Sequence, residues 1–133
     1  MRGILPLTLF LSLLLISGIV LSQERIDLSG TWTGETYVEG GPDITLLLTL
    51  VLEYKDNKIT GKLNDDMGYI DSEITEVELE SEVFTFKAIA QAPEGDISLS
   101  FKVTVTGDIM EGEWNSEEGY YGSWTATREK VDP

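Results

Sequence analysis

Along most of the chain, apolar and polar residues alternate one for one, the spacing of strands with a single buried face. In "ISLSFKVTVT" (97–106), Ile97, Leu99, Phe101, Val103 and Val105 share one face, and Ser, Lys and Thr share the other. "ITLLLTLVLEY" (44–54) puts Ile44, Leu46, Leu48, Leu50 and Leu52 together, and "VFTFKAIA" (83–90) does so with Phe84, Phe86, Ala88 and Ala90. Weaker segments of the same kind are 31–38, 58–64, 70–79, 109–114 and 121–129. In the 70–79 segment the phase changes. Ile70 and Ile74 have one parity, Val77 and Leu79 the other, which predicts a β-bulge near Thr75 or Glu76.

The pattern therefore predicts an all-β fold of about eight antiparallel strands joined by short links. Such a meander removes both sheet edges by closing into an up-and-down barrel. The alternate face carries Thr, Ser, Lys and Glu, so the apolar face points inward and the outside is wet, the reverse of a membrane barrel.

The first residues break this pattern. One Arg precedes a nearly continuous apolar run from Ile4 to Leu21, followed by polar "QERID", which predicts a signal-peptide helix over residues 1–22, cleaved after Ser22. The barrel domain is then 23–133, secreted or periplasmic, with no membrane span left after cleavage. Loss of Arg2 leaves 8 Lys+Arg against 24 Asp+Glu, a net charge of −16. That field repels phosphate backbones and anionic lipid surfaces, so nucleic acid is not an expected partner.

All three tryptophans, Trp32, Trp114 and Trp124, follow a glycine by two positions. Residues two apart in a strand share a face, so each indole stands beside an empty site on the inner wall. "GTWTGE" (30–35) and "GSWTATR" (122–128) resemble the calycin-type small barrels, the lipocalin and avidin group and bacterial lipocalin-like domains. "GDIMEGEW" (107–114) and "ITGKL" (59–63) are similar to bacterial lipocalin-like modules as well. The resemblance implies that Trp32 closes one end of the barrel and that Arg128 packs across it. The polar biotin contacts of avidin are not found, so biotin binding is not implied.

Antiparallel order sends successive links to opposite ends. Links 39–43, 64–69, 91–96 and 115–119 fall at one end. They carry Glu39, Asp43, Asp65, Asp66, Glu94, Asp96, Glu117 and Glu118 but no Lys or Arg. The tight links 55–58, 80–82 and 107–108 fall at the end that Trp32 and Arg128 would plug. One pole is thus expected to be closed and the other an acidic rim. Trp114, Trp124, Tyr120 and Phe101 are the candidate ligand-binding residues behind that rim, unless the barrel is filled by its own side chains.

The chain has no His and no Cys, which removes imidazole bases, thiolate nucleophiles and the usual zinc and haem ligands. Parity points Glu35, Glu53, Glu111 and Glu113 outward, so no inward acid pair is evident outside Ser72 to Glu76, where the bulge leaves parity open. No catalytic residue, metal site or cofactor is expected. The reading that follows is a barrel binding a small apolar or cationic ligand at its open acidic end. Two others stay open: a ligand-free interaction module, inhibitor or accessory of an envelope enzyme, and an enzyme working through rim carboxylates.

Overall fold

The structure is a computed structural model describing residues 26–130; the expected signal peptide lies outside the described residues. Among the described residues every regular element is a strand. They are β1 Gly30–Tyr37, β2 Thr45–Lys55, β3 Lys58–Asp65, β4 Asp71–Glu73, β5 Thr75–Glu80, β6 Val83–Ala92, β7 Gly95–Thr106, β8 Ile109–Ser116 and β9 Tyr121–Arg128. All pair antiparallel, in the order β4-β3-β2-β1-β9-β8-β7-β6-β5. The first and last long strands are bonded, with Trp32 opposite Arg128 and Thr36 opposite Trp124, so the meander wraps into a nearly closed barrel.

What remains of the seam runs through the segment whose phase changes. The single expected fourth strand is two: β4 bonds to β3, and β5 bonds to β6. The register slips between Thr75 and Glu78, and Glu76 takes a φ of 48°. This is the expected bulge, and it breaks the ladder because the extra residue cannot pair. The slip also turns Ile70 and Ile74, and then Val77 and Leu79, toward the core despite their opposite parity. A bridge between Ile70 and Ala90, and bonds from Gln91 N to Tyr69 O (2.7 Å) and Ile89 N to Ser72 Oγ (3.0 Å), stitch the β3–β4 side to β6.

Parity sets the core. In β2, Leu46, Leu48, Leu50 and Leu52 are 6, 1, 0 and 1% exposed, whereas Leu47 and Val51 between them are 40 and 37% exposed. Each buried leucine contributes about 1.5–3 kcal/mol over an exposed one, which fixes the register against a one-residue slip.

Two-residue turns at Asp56–Asn57, Ser81–Glu82 and Gly107–Asp108 close the hairpins at one pole. Asp56 and Asn57 both have positive φ, the geometry that matches strand twist in a tight hairpin. At the other pole most links are longer, with one exception. The 91–96 link was expected to be loop, yet the β6–β7 ladder continues through Gln91–Asp96 and Ala92–Gly95, leaving only Pro93–Glu94 as the turn. Ala90, Ala92 and Ile97 keep the inward parity there, so the hairpin projects as a paired flap.

Candidate ligand-binding site

At the tight pole the lumen is full. Trp32 is completely buried, and its Nε1 donates to Leu28 O at 2.9 Å. The Arg128 guanidinium lies over the indole, 4.6 Å from the ring centroid. Its donors reach Asp108 Oδ1 (2.8 Å), Asp27 O (2.7 Å), Ser29 O (3.0 Å) and Gly107 O (3.3 Å). Gly30 makes this possible: a Cβ there, at φ +128°, would stand 3.0 Å from Arg128 Cδ. Arg128 thus ties the entering strand, the β7–β8 turn and Trp32 into one plug.

The Gly-x-Trp repeats are explained by register. Across β8 and β9, Gly112 faces Trp124 and Trp114 faces Gly122; the Trp114 indole reaches over Gly122, whereas a Cβ on Gly112 would run into the β7 backbone at Lys102 and Val103. A Cβ on Gly122 would come within 2.8 Å of Trp114 Nε1 and 3.0 Å of Thr36 Oγ1. Through that gap Trp114 Nε1 donates to Thr36 Oγ1 at 2.8 Å, and Thr36 Oγ1 donates to Ser123 O. Trp124 Nε1 donates to Gly34 O at 2.9 Å. Among the described residues no buried side-chain nitrogen or oxygen is left unpaired.

Toward the other pole the filling stops. A cavity of ≈350 Å³ opens there, with Leu46, Leu48, Ile97 and Leu99 in its walls. Phe101, Trp114 and Thr36, all nearly buried, form its floor. Pro42, Tyr69, Pro93, Glu94 and Tyr120 surround the mouth. Its size is just over twice that of the ~150 Å³ apolar cavity that holds one benzene. A larger concavity of ≈530 Å³ by Ile26, Asp27, Ser29, Glu53 and Tyr54 is a shallow depression on the outside of the plugged pole.

Of the four candidate residues, Phe101, Trp114 and Tyr120 line this cavity and Trp124 does not. Trp124 is 1% exposed and meets Phe101 edge-on, 5.9 Å between centroids at 77°. Phe101 stacks on Phe86 behind it, 4.7 Å apart and 7° from parallel. The floor is therefore a braced aromatic layer. Tyr120 reaches the mouth because Gly41 has no side chain: a Cβ there would lie 2.3 Å from the Tyr120 ring. Its backbone is fixed by Ser116, whose Oγ accepts from Tyr120 N at 3.0 Å.

The rim acids divide. Asp65 accepts from Ile70 N (2.7 Å) and Met67 N (3.1 Å), and Asp66 accepts from Leu47 N (2.9 Å). Asp43 accepts from the Tyr37 hydroxyl, and this bond raises the Tyr37 pKa above its ordinary 10.0. These three shape the links. Glu94 is the acid that borders the cavity itself. Sequence reading placed Ala90 on the inner face but missed Thr36 and Ala92. Their signal was a polar and a small residue at inward positions close to the open-pole links.

No protein-family model matches the chain, and no curated protein matches it. Among solved structures it is similar to a designed protein described as "De novo design of a fluorescence-activating beta barrel", with 18% identity and a TM-score of 0.53. The match covers 77% of this chain and 94% of that one. At that identity the likeness is one of fold, and it agrees with the strand order: this chain is a nearly closed antiparallel β-barrel.

Proposed function

We propose that this protein is a lipocalin-like binding protein of the extracellular or periplasmic space, taking a small ligand with an apolar body through the open pole. The observation that carries the reading is the ≈350 Å³ cavity floored by Phe101 and Trp114. A void of that size among well-packed side chains forgoes contacts that filling residues would make, and a ligand restores them. The signal-like first 22 residues and the strongly acidic composition support the location. A designed barrel of like fold is described as fluorescence-activating, which supports a small-molecule occupant.

The test is titration with N-phenyl-1-naphthylamine, an uncharged dye that brightens in apolar surroundings. Wild-type protein should enhance its emission and show a change in Trp114 fluorescence. Ala90→Phe, which puts a ring into the cavity from β6, should keep the β-sheet circular dichroism and lose the enhancement. Unchanged dye emission with the wild type would overturn the reading and leave the interaction module as the better account.

A further inference from the structure

We infer that the cavity discriminates by charge, holding an apolar body with one ammonium-type cation at its outer end and turning away carboxylates of the same shape. This rests on the cavity being a ligand site, as proposed above.

Three observations carry it. First, the floor offers a ligand no free polar partner. Trp114 Nε1 and Thr36 Oγ1 are spent on each other and on Ser123 O, and no buried side-chain polar atom among the described residues is unpaired. A ligand's polar group placed there would lose water and gain nothing, so the apolar end goes in and the polar end stays at the mouth.

Second, the mouth combines aromatic side chains with an acid. Tyr69 and Tyr120 flank it, and exposed Glu94 borders it on the β6–β7 flap. Aromatic faces beside a carboxylate attract a cation by both ring quadrupole and charge.

Third, cations are kept away from it. Among the described residues no Lys or Arg lines the cavity. Lys55, Lys58 and Arg128 sit at the plugged pole, and Lys62 and Lys87 are matched on the outer wall to Asp71 (2.9 Å) and Glu76 (3.2 Å). A carboxylate ligand would meet Glu94 and the further acids of the rim, with no counter-charge among the described lining residues. The acids alone would mean only solvation. Set around an apolar cavity whose floor forces the headgroup outward, they decide which headgroup is accepted.

The experiment is displacement of N-phenyl-1-naphthylamine by three compounds with one naphthalene body: 2-(1-naphthyl)ethylamine, 2-(1-naphthyl)ethanol and 1-naphthaleneacetate. At low ionic strength the amine should displace the dye about tenfold more effectively than the acetate, with the alcohol between them. Raising the salt should draw amine and acetate together, and Glu94→Gln should narrow their ratio. If the dye binds and the three compounds compete equally, charge selection is overturned while the cavity reading stands. An acetate that competes best overturns it as well. If the dye itself does not bind, the cavity reading falls and this inference falls with it.

Discussion

The two poles of this barrel are made by the same strands and end in opposite states. At one, Trp32, Leu28 and the Arg128 guanidinium fill the lumen: Trp32 Nε1 donates to Leu28 O, and the guanidinium lies over the indole while donating to Asp27, Ser29, Gly107 and Asp108. At the other, an apolar wall of the same kind ends in ≈350 Å³ of space. The difference lies in the segments that could cross the lumen. Residues 26–29 are drawn over the plugged pole because Arg128 takes the carbonyls of Asp27 and Ser29, and Tyr54 donates to Ile26 O at 2.7 Å. The links of the open pole satisfy themselves: Asp65 bonds back to Met67 and Ile70, and Ser116 to Tyr120. A link whose polar groups are already paired gains nothing by entering an apolar lumen.

The strongest way to break this contrast is to remove the plug. Trp32→Ala deletes a fully buried indole, and such losses cost about 3–5 kcal/mol. Urea denaturation should show that drop. A loss near zero would mean that the pole is held by something other than Trp32.

A smaller effect is expected on the cavity floor. Thr36→Val keeps the shape of the side chain but leaves Trp114 Nε1 buried without its acceptor, a loss of about 1–3 kcal/mol. Thr36→Ser keeps the hydroxyl and should recover most of it. Near-UV circular dichroism separates a freed indole from general loosening, because only the former changes the Trp114 signal while the strands persist. If Val and Ser behave alike, the hydrogen bond does not set the floor.

How far the sequence disclosed each pole follows from what parity can carry. Alternation told which face each residue takes, and it located the bulge, because Ile74 and Val77 cannot both face inward without an extra residue between them. It did not give depth along the strand. Trp124 has the same inward parity as Trp114, but the register places it opposite Thr36 and Gly112, behind Phe101 and out of the cavity. Nor could parity tell what an acid is for. Asp65 and Asp66 read as two more charges on a rim, whereas their role as link acceptors depends on which backbone N–H groups the turn brings to them. The part of residues 26–29 was also hidden, since a segment with no alternation gives no sign that its carbonyls will meet an arginine from the last strand.

The smallest effects should separate the poles by pH. At the plugged pole the Asp27 carboxyl is held below its ordinary 3.8, first by the Ser29 backbone N–H, then by the Ser29 hydroxyl, with a lesser pull from Arg128. A group depressed in the folded state stabilises fully above its unfolded pKa, and that share is lost as pH falls through the folded value. At the open pole Tyr37 is raised above 10.0, first by the bond it donates to Asp43, then by partial desolvation and the charges of Asp43 and Glu39. Its share is fully present below 10.0 and is lost as pH rises through the folded value. Denaturation midpoints of wild type, Asp27→Asn and Tyr37→Phe across pH should therefore diverge in opposite directions. The Asp27→Asn deficit should vanish in acid and the Tyr37→Phe deficit in alkali, with both present near neutrality. A Tyr37→Phe deficit that persists in alkali would show that the ring packs the rim and that its bond to Asp43 does not hold the 38–44 link, which would separate the open pole's shape from its charge.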